Sequence, residues 1–204
     1  MLTRRRLLDA AAEVFGEKGF RAATLADVAD RAGYTIGAVY SNFANKDEVF
    51  HALMRERLRS VEEGLAATLL EDASVTGTSI PSVGDRIEQE LDRLAAAEDA
   101  VPSRWWRLLY EYRTYAATEP AAWAELSDAE RRCREIIAGH IAEFATSVGL
   151  LLPTSAMELA ELSAALGDGL RAAHAEGRST MTSGQGLRIV VKALLATSPR
   201  VDPA

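Results

Sequence analysis

TLADVADRAGYTIGAVYSNFANK, residues Thr24 to Lys46, decides how the rest of the chain is to be read. Thr24 suits an N-cap, because its hydroxyl can take up a free amide of the first helical turn. Leu25, Val28 and Ala29 follow at helical spacing, and Asp27 puts a negative charge in the first turn, where the helix dipole favours it. Gly33 stands where a chain leaving a helix often needs a left-handed residue. Thr35 can cap a second helix, with Val39 and Phe43 facing inward at i, i+4 and Ile36 and Tyr40 forming a pair that points elsewhere. Asn45 caps the next helix, with Asp47 and Glu48 in its first turn. Two short helices joined by a glycine turn form the pattern of a helix-turn-helix DNA reader.

The pattern extends in both directions. Upstream, RRRLLDAAAEVFGEKGFRAATLADVADRAG reads as a helix that ends near Gly16 to Gly19 and then turns into Thr24. Downstream, YTIGAVYSNFANKDEVFHALM holds a Gly-x-x-Tyr-x-x-Phe-x-x-Lys order from Gly37 to Lys46. From Arg4 to Leu53 the chain resembles the N-terminal domain of the TetR (tetracycline-repressor) family of bacterial transcriptional regulators.

The resemblance implies site residues. Thr35, Ile36, Gly37, Ala38, Tyr40 and Asn42 lie at the positions that face DNA in the family. Gly37 would let backbone approach closely, Tyr40 would offer a hydroxyl to a phosphate, and Asn42 would meet a base or a phosphate. Lys46 is expected to reach a phosphate from the start of the fourth helix, and Thr24 to do so from the second besides capping it. Arg4, Arg5 and Arg6 form a compact basic arm, either a DNA contact or a solvated terminus. Ile36 departs from the pattern, because a polar or basic reader is more usual there. An isoleucine makes only apolar contact, as with a thymine methyl, which shifts specificity toward methyl contacts and DNA shape.

Composition sets the frame. The chain has 204 residues, 48% of them hydrophobic, which excludes a disordered chain. Strand signals are nearly absent, and Ala, Leu, Glu and Arg dominate, so the expected class is all-α. No apolar run approaches the roughly 18 residues of a membrane span. Asp9, Glu13 and Glu17 make the N-terminal segment an amphipathic helix rather than a signal peptide. Cys133 is the single cysteine, which fits a reducing cytoplasm. The net charge of −7 divides unevenly: residues 1–60 carry ten Lys or Arg against eight Asp or Glu, so the acidic excess belongs to the body. That balance is compatible with DNA binding without diagnosing it.

Nine helices are expected: about 4–18, 25–32, 36–42, 46–70, 85–98, one opening at Pro102 or Ser103 and ending before Pro120, then 120–148, 156–176 and 187–196. ASVTGTSIPSVG (73–84) and GRSTMTSGQG (177–186) read as loops, and SPRVDPA as a frayed tail. The organisation is a three-helix DNA-binding domain at 1–46, joined by a long fourth helix to an effector-binding and dimerisation domain at 47–204.

In the sixth helix, Arg104, Arg107, Glu111 and Thr114 share a polar stripe. Trp105, Leu109, Tyr112 and Ala116 fall opposite, flanked by Trp106 and Tyr110. Arg113 lands inside the apolar arc and needs an anionic partner. It lines an effector cavity with Trp105, Trp106, Leu109, Tyr110 and Tyr112, or it makes an internal ion pair with a glutamate of another helix, or it snorkels out. His140 and His174 show no metal-site spacing, and no metal or cofactor is expected. Cys133 is a redox sensor or incidental. Helix eight puts Leu159, Leu162, Leu166 and Leu170 on one stripe beside the small residues Ala160, Ala164 and Gly167. Helix nine adds Leu187, Val190, Val191 and Leu194. These stripes suggest a two-fold four-helix dimer interface, the arrangement the family uses.

The expected function is a cytoplasmic, homodimeric, ligand-responsive regulator, a repressor that binds a near-palindromic double-stranded DNA operator and is released by a small-molecule effector. The alternative is a helical ligand-binding protein that no longer reads DNA. No nucleophile elbow, phosphate loop or paired carboxylates support an enzyme.

Overall fold

A computed structural model describes residues 2–70, 82–99 and 103–196. Among these lie nine helices: α1 Leu2–Ala22, α2 Leu25–Ala32, α3 Ile36–Tyr40, α4 Lys46–Leu70, α5 Val83–Asp99, α6 Ser103–Ala116, α7 Pro120–Ser147, α8 Ala156–Ala175 and α9 Ser183–Ala196. The all-helical class expected from the sequence is the class observed. The tail from 198 and most of the 73–84 loop lie outside the described residues. Packing divides the chain into two compact units, Met1–Glu62 with Pro102–Glu130, and Glu63–Val101 with Arg131–Ala204. The unit holding the helix-turn-helix is therefore larger than segment 1–46, since it includes α6 and the beginning of α7.

That first unit has a continuous apolar core. Leu7, Val14 and Phe15 of α1, Val28 of α2 and Val39 of α3 pack with Phe43, with Phe50 and Met54 of α4, and with Leu108, Leu109 and Tyr112 of α6. Phe20 stacks on Phe50 with ring centroids 4.2 Å apart, and Phe15 and Tyr112 each meet Phe50 edge-on at 5.6 Å. Edge and stacked contacts of this kind add to the area the rings bury.

Helix α1 runs further than periodicity predicts and carries a break inside it. Gly19 adopts φ 77°, ψ 160°, a conformation that L side chains avoid. The ladder fails there, so nearby backbone groups need partners from elsewhere. Helix α3 ends at Tyr40, two residues early, because Ser41 and Asn42 form a turn.

The second unit contains one correction to the loop reading. Helix α9 begins at Ser183, four residues before the expected start. Thr182 and Gln185 form a reciprocal cap, with Gln185 N donating to Thr182 Oγ1 and Thr182 N to Gln185 Oε1, each at 3.1 Å. Glycine suggested a loop, but here it permits close packing. A methyl group on Gly184 would run into the Ala95 carbonyl, and one on Gly186 into Leu170. Asp99 fixes the same turn, accepting from Gly184 N at 2.9 Å and from Thr182 Oγ1 at 2.8 Å.

Candidate nucleic-acid interface

Helices α2, α3 and α4 each start at a capping side chain. Thr24 and Asp27 form a capping box: Asp27 N donates to Thr24 Oγ1 at 3.1 Å, and Thr24 N donates to Asp27 Oδ2 at 2.9 Å. Lys18 closes on the other carboxylate oxygen at 2.6 Å. Lys18, and then the Thr24 hydroxyl and amide, hold the Asp27 carboxyl down at about 2. Gly33 ends α2 in the left-handed region at φ 71°, and Tyr34 N bonds back to Ala29 O at 3.0 Å. Thr35 Oγ1 accepts from Ala38 N at 3.3 Å to start α3, and Asn45 Oδ1 accepts from Glu48 N at 2.8 Å to start α4.

These caps set which face α3 presents. Val39 is fully buried, and Phe43 just beyond it nearly so, while Ile36 is 42% and Tyr40 58% exposed. Thr35 and Gly37 are exposed beside them, and Ala38 is half-buried. The two side chains are thus open to solvent on one face of a five-residue helix whose other face is buried. Thr24 is exposed at the start of α2, and Arg5 and Arg6 are exposed near the start of α1. Arg4 differs: its guanidinium lies over the Phe43 ring, 4.7 Å from the centroid.

Two of the expected contact residues are half-buried and bonded to backbone carbonyls. Asn42 Nδ2 donates to Ala38 O at 2.8 Å. Lys46 Nζ lies within hydrogen-bond reach of Phe20 O, Arg21 O and Ala23 O at 3.0, 3.3 and 3.0 Å, over the Phe20 ring. An ammonium has three donors, and here three carbonyls face them. Lys46 thus ties the segment after Gly19 to the start of α4.

Sequence reasoning missed the other half of this fastening. Phe20 N donates to Glu111 Oε2 at 2.7 Å, and Arg107 Nη2 donates to Gly16 O at 3.2 Å. The polar stripe of α6 is thus not simply a solvated face, because Arg107 and Glu111 bind the interrupted end of α1. The available signal was Gly19 itself: a break in a helix frees an amide that needs an acceptor.

The apolar side of α6 belongs to the core of this unit. Leu109 and Tyr112 are buried, and Trp105 and Trp106 pack partly against the same cluster. Burial raises the Tyr112 phenol well above its usual range. Arg113 donates from Nε and Nη2 to Glu130 Oε1 at 3.0 and 2.8 Å, and its guanidinium lies 5.7 Å from the Tyr110 ring centroid. Of the sequence alternatives for Arg113, the ion pair with a glutamate of another helix is present. His51, which the sequence did not single out, pairs with Glu125 at 3.0 Å.

On α8 and α9 the apolar residues divide. Ala160 and Gly167 are buried within their own unit, and Leu159, Ala164, Leu166, Leu170, Leu187, Val191 and Leu194 are half-buried. Leu162 and Val190 are exposed, together with Ala165, Gly169, Ile189 and Ala193, which the sequence stripes did not include. No helix among the described residues is long and apolar enough to cross a membrane.

Residues 7–53 match the family model for bacterial regulatory proteins of the tetR family. The HTH-type transcriptional repressor KstR2 of Mycobacterium tuberculosis is 46% identical over 52 residues, a match spanning 26% of either protein and thus about a quarter of that relative's length. Similarity of fold reaches much further. A transcriptional regulator from Rhodococcus sp. Rha1 superposes with TM-score 0.64 at 26% identity, covering 98% of this chain and 99% of that one. A regulator from Saccharomonospora viridis, solved in complex with choline, superposes with TM-score 0.73 at 19% identity over 97% and 98%. The caps, turn and core of the helix-turn-helix thus fall within a segment similar to the N-terminal domain of bacterial regulatory proteins of the tetR family.

Proposed function

We propose that this chain is a cytoplasmic transcriptional repressor that binds a near-palindromic DNA operator as a homodimer and leaves it when a small-molecule effector binds. The observation that carries the reading is the outward face of α3, where Ile36, Gly37 and Tyr40 are exposed beside the capping residue Thr35. A short helix held rigidly with one face open suits insertion into a major groove. Thr24, Arg5, Arg6 and the Tyr40 hydroxyl supply phosphate contacts, and Lys46 acts by holding the reader together as well as by its charge. The repressor name of the Mycobacterium relative favours the sign.

The dimer forms through α8 and α9, with Leu162, Val190 and Ile189 as apolar anchors and the exposed Ala165 and Gly169 allowing close helix approach. The effector acts on the α6 set of Trp105, Trp106, Leu109, Tyr110, Tyr112 and Arg113. Because Leu109 and Tyr112 are core residues, a ligand seated among them must open packing that α1 shares. The link from Glu111 and Arg107 to the end of α1 then carries the change to the reader. Release requires the effector to bind the DNA-incompetent state more tightly. The choline complex of the Saccharomonospora relative supports a small-molecule effector without naming this one.

The test is selection of bound sequences from a random DNA pool by the full-length protein. Enrichment of a near-palindrome, with half-sites about 34 Å apart, is the expected result. A folded protein that enriches nothing, with or without candidate effectors, would contradict the reading.

A further inference from the structure

The outer face of α3 is short of hydrogen-bonding side chains for base edges. The pairings that read guanine and adenine directly come from Arg or Lys and from Asn or Gln. Helix α3, IGAVY, carries none of these residues. The polar groups beside it are engaged within the fold. Thr35 Oγ1 accepts from Ala38 N, Ser41 Oγ donates to Gly37 O at 2.8 Å, Asn42 Nδ2 donates to Ala38 O, and Lys46 faces three carbonyls. What α3 offers the groove is aliphatic: the exposed Ile36 side chain, the Ala38 methyl, and Gly37, whose missing side chain brings the backbone close. Tyr40 adds a ring and one hydroxyl.

Resting on the DNA-reading function proposed above, we infer that this reader recognises its operator chiefly through C5-methyl groups of major-groove pyrimidines, with Ile36 as the residue that senses them. Thymine carries that methyl, and 5-methylcytosine presents the same group at the same place. The chemical class read is thus a C5-methylated pyrimidine, and the purine N7 and O6 acceptors contribute little. An apolar contact with a methyl in a water-filled groove is favourable because both surfaces leave water.

The experiment uses the full chain and the site enriched from a random pool, synthesised in five versions: natural, thymine to uracil at one read position per half-site, thymine to 5-methylcytosine (paired with guanine) there, thymine to cytosine (paired with guanine) there, and 7-deazapurines in place of the neighbouring purines. Uracil should weaken binding about fourfold for each methyl removed, so about fifteenfold over two half-sites. An unmethylated cytosine at the same position should bind worse than 5-methylcytosine by a similar factor, which isolates the methyl from the base pair. The 7-deazapurines should change affinity by less than about twofold. Ile36→Ala, an exposed substitution whose fold is checked by circular dichroism, should abolish discrimination between thymine and uracil. A site enriched normally but indifferent to uracil, or crippled by 7-deazapurines, would overturn this inference and leave the regulator reading intact. Failure to enrich any site would overturn the regulator reading itself.

Discussion

The reader and the α5–α8–α9 layer are fastened by different chemistry. In the reader, caps act over three residues and an aromatic core fills the space between helices. Among the described residues of the other unit the buried apolar side chains are few, chiefly Leu91, Ala138, Ala145, Val148 and Ala160. Charge takes over much of the fastening. Glu90, 8% exposed, accepts from His140 at 2.6 Å and from Arg93 at 2.6 Å. Arg171 of α8 pairs with Glu98 of α5 and with Asp168, and Arg188 of α9 with Glu88 and Asp92 of α5. Both units have capped helix ends, but in the second the ion pairs of Arg171 and Arg188 join α8 and α9 to α5 where the first has an aromatic core.

Substitutions can break this contrast. The largest effect should come from Phe50→Ala, which removes the ring at the centre of the reader's aromatic cluster. It should cost about 3–5 kcal/mol in denaturant unfolding. Gly184→Ala forces the start of α9 off Ala95 and should cost about 1–3 kcal/mol. It should loosen α9 in hydrogen exchange while leaving reader amides protected. Glu111→Ala strips the acceptor from Phe20 N and should cost about 1–3 kcal/mol, with increased exchange at the end of α1. Thr24→Ala removes one cap and should cost about 1 kcal/mol.

Acid sharpens the comparison. Asp27 in the reader and Glu158 in α8 occupy the same capping-box position, and both are held at about 2: Asp27 by Lys18 and then Thr24, Glu158 by Thr154 and then Ser155. A depressed carboxyl stabilises the fold fully above its unfolded value and loses that contribution as pH falls through the folded one. For Asp27 the window runs from its ordinary 3.8 down to about 2. Thermal melts over that range should flatten in Asp27→Asn relative to the natural chain. Equal slopes in both proteins would remove Asp27 from the account.

The reader was legible because its code is local. Thr24, Gly33, Thr35 and Asn45 each act within a few residues, so their roles can be read from spacing, and Val39 against Ile36 and Tyr40 gives the facing of α3. What spacing did not disclose depends on the third dimension. Arg107 and Glu111 look like a solvated stripe until Gly19 breaks the helix opposite them. Lys46 suits a phosphate until three carbonyls arrive within its reach. Gly184 and Gly186 signal a loop in sequence, but serve close approach in the fold. On α8, the small residues Ala160 and Gly167 are buried within their own unit, which spacing does not disclose. Ala165 and Gly169 of the same helix are exposed, a facing that apolar periodicity alone does not fix.

The most direct test of the central claim is the affinity of the purified protein for its enriched site, set against a shuffled sequence of the same composition in the same salt. The account predicts binding at least ~10³-fold tighter to the enriched site, weakened on both sequences as salt rises. Equal affinity for the two sequences at every salt concentration would contradict it, because phosphate attraction alone would then explain the binding.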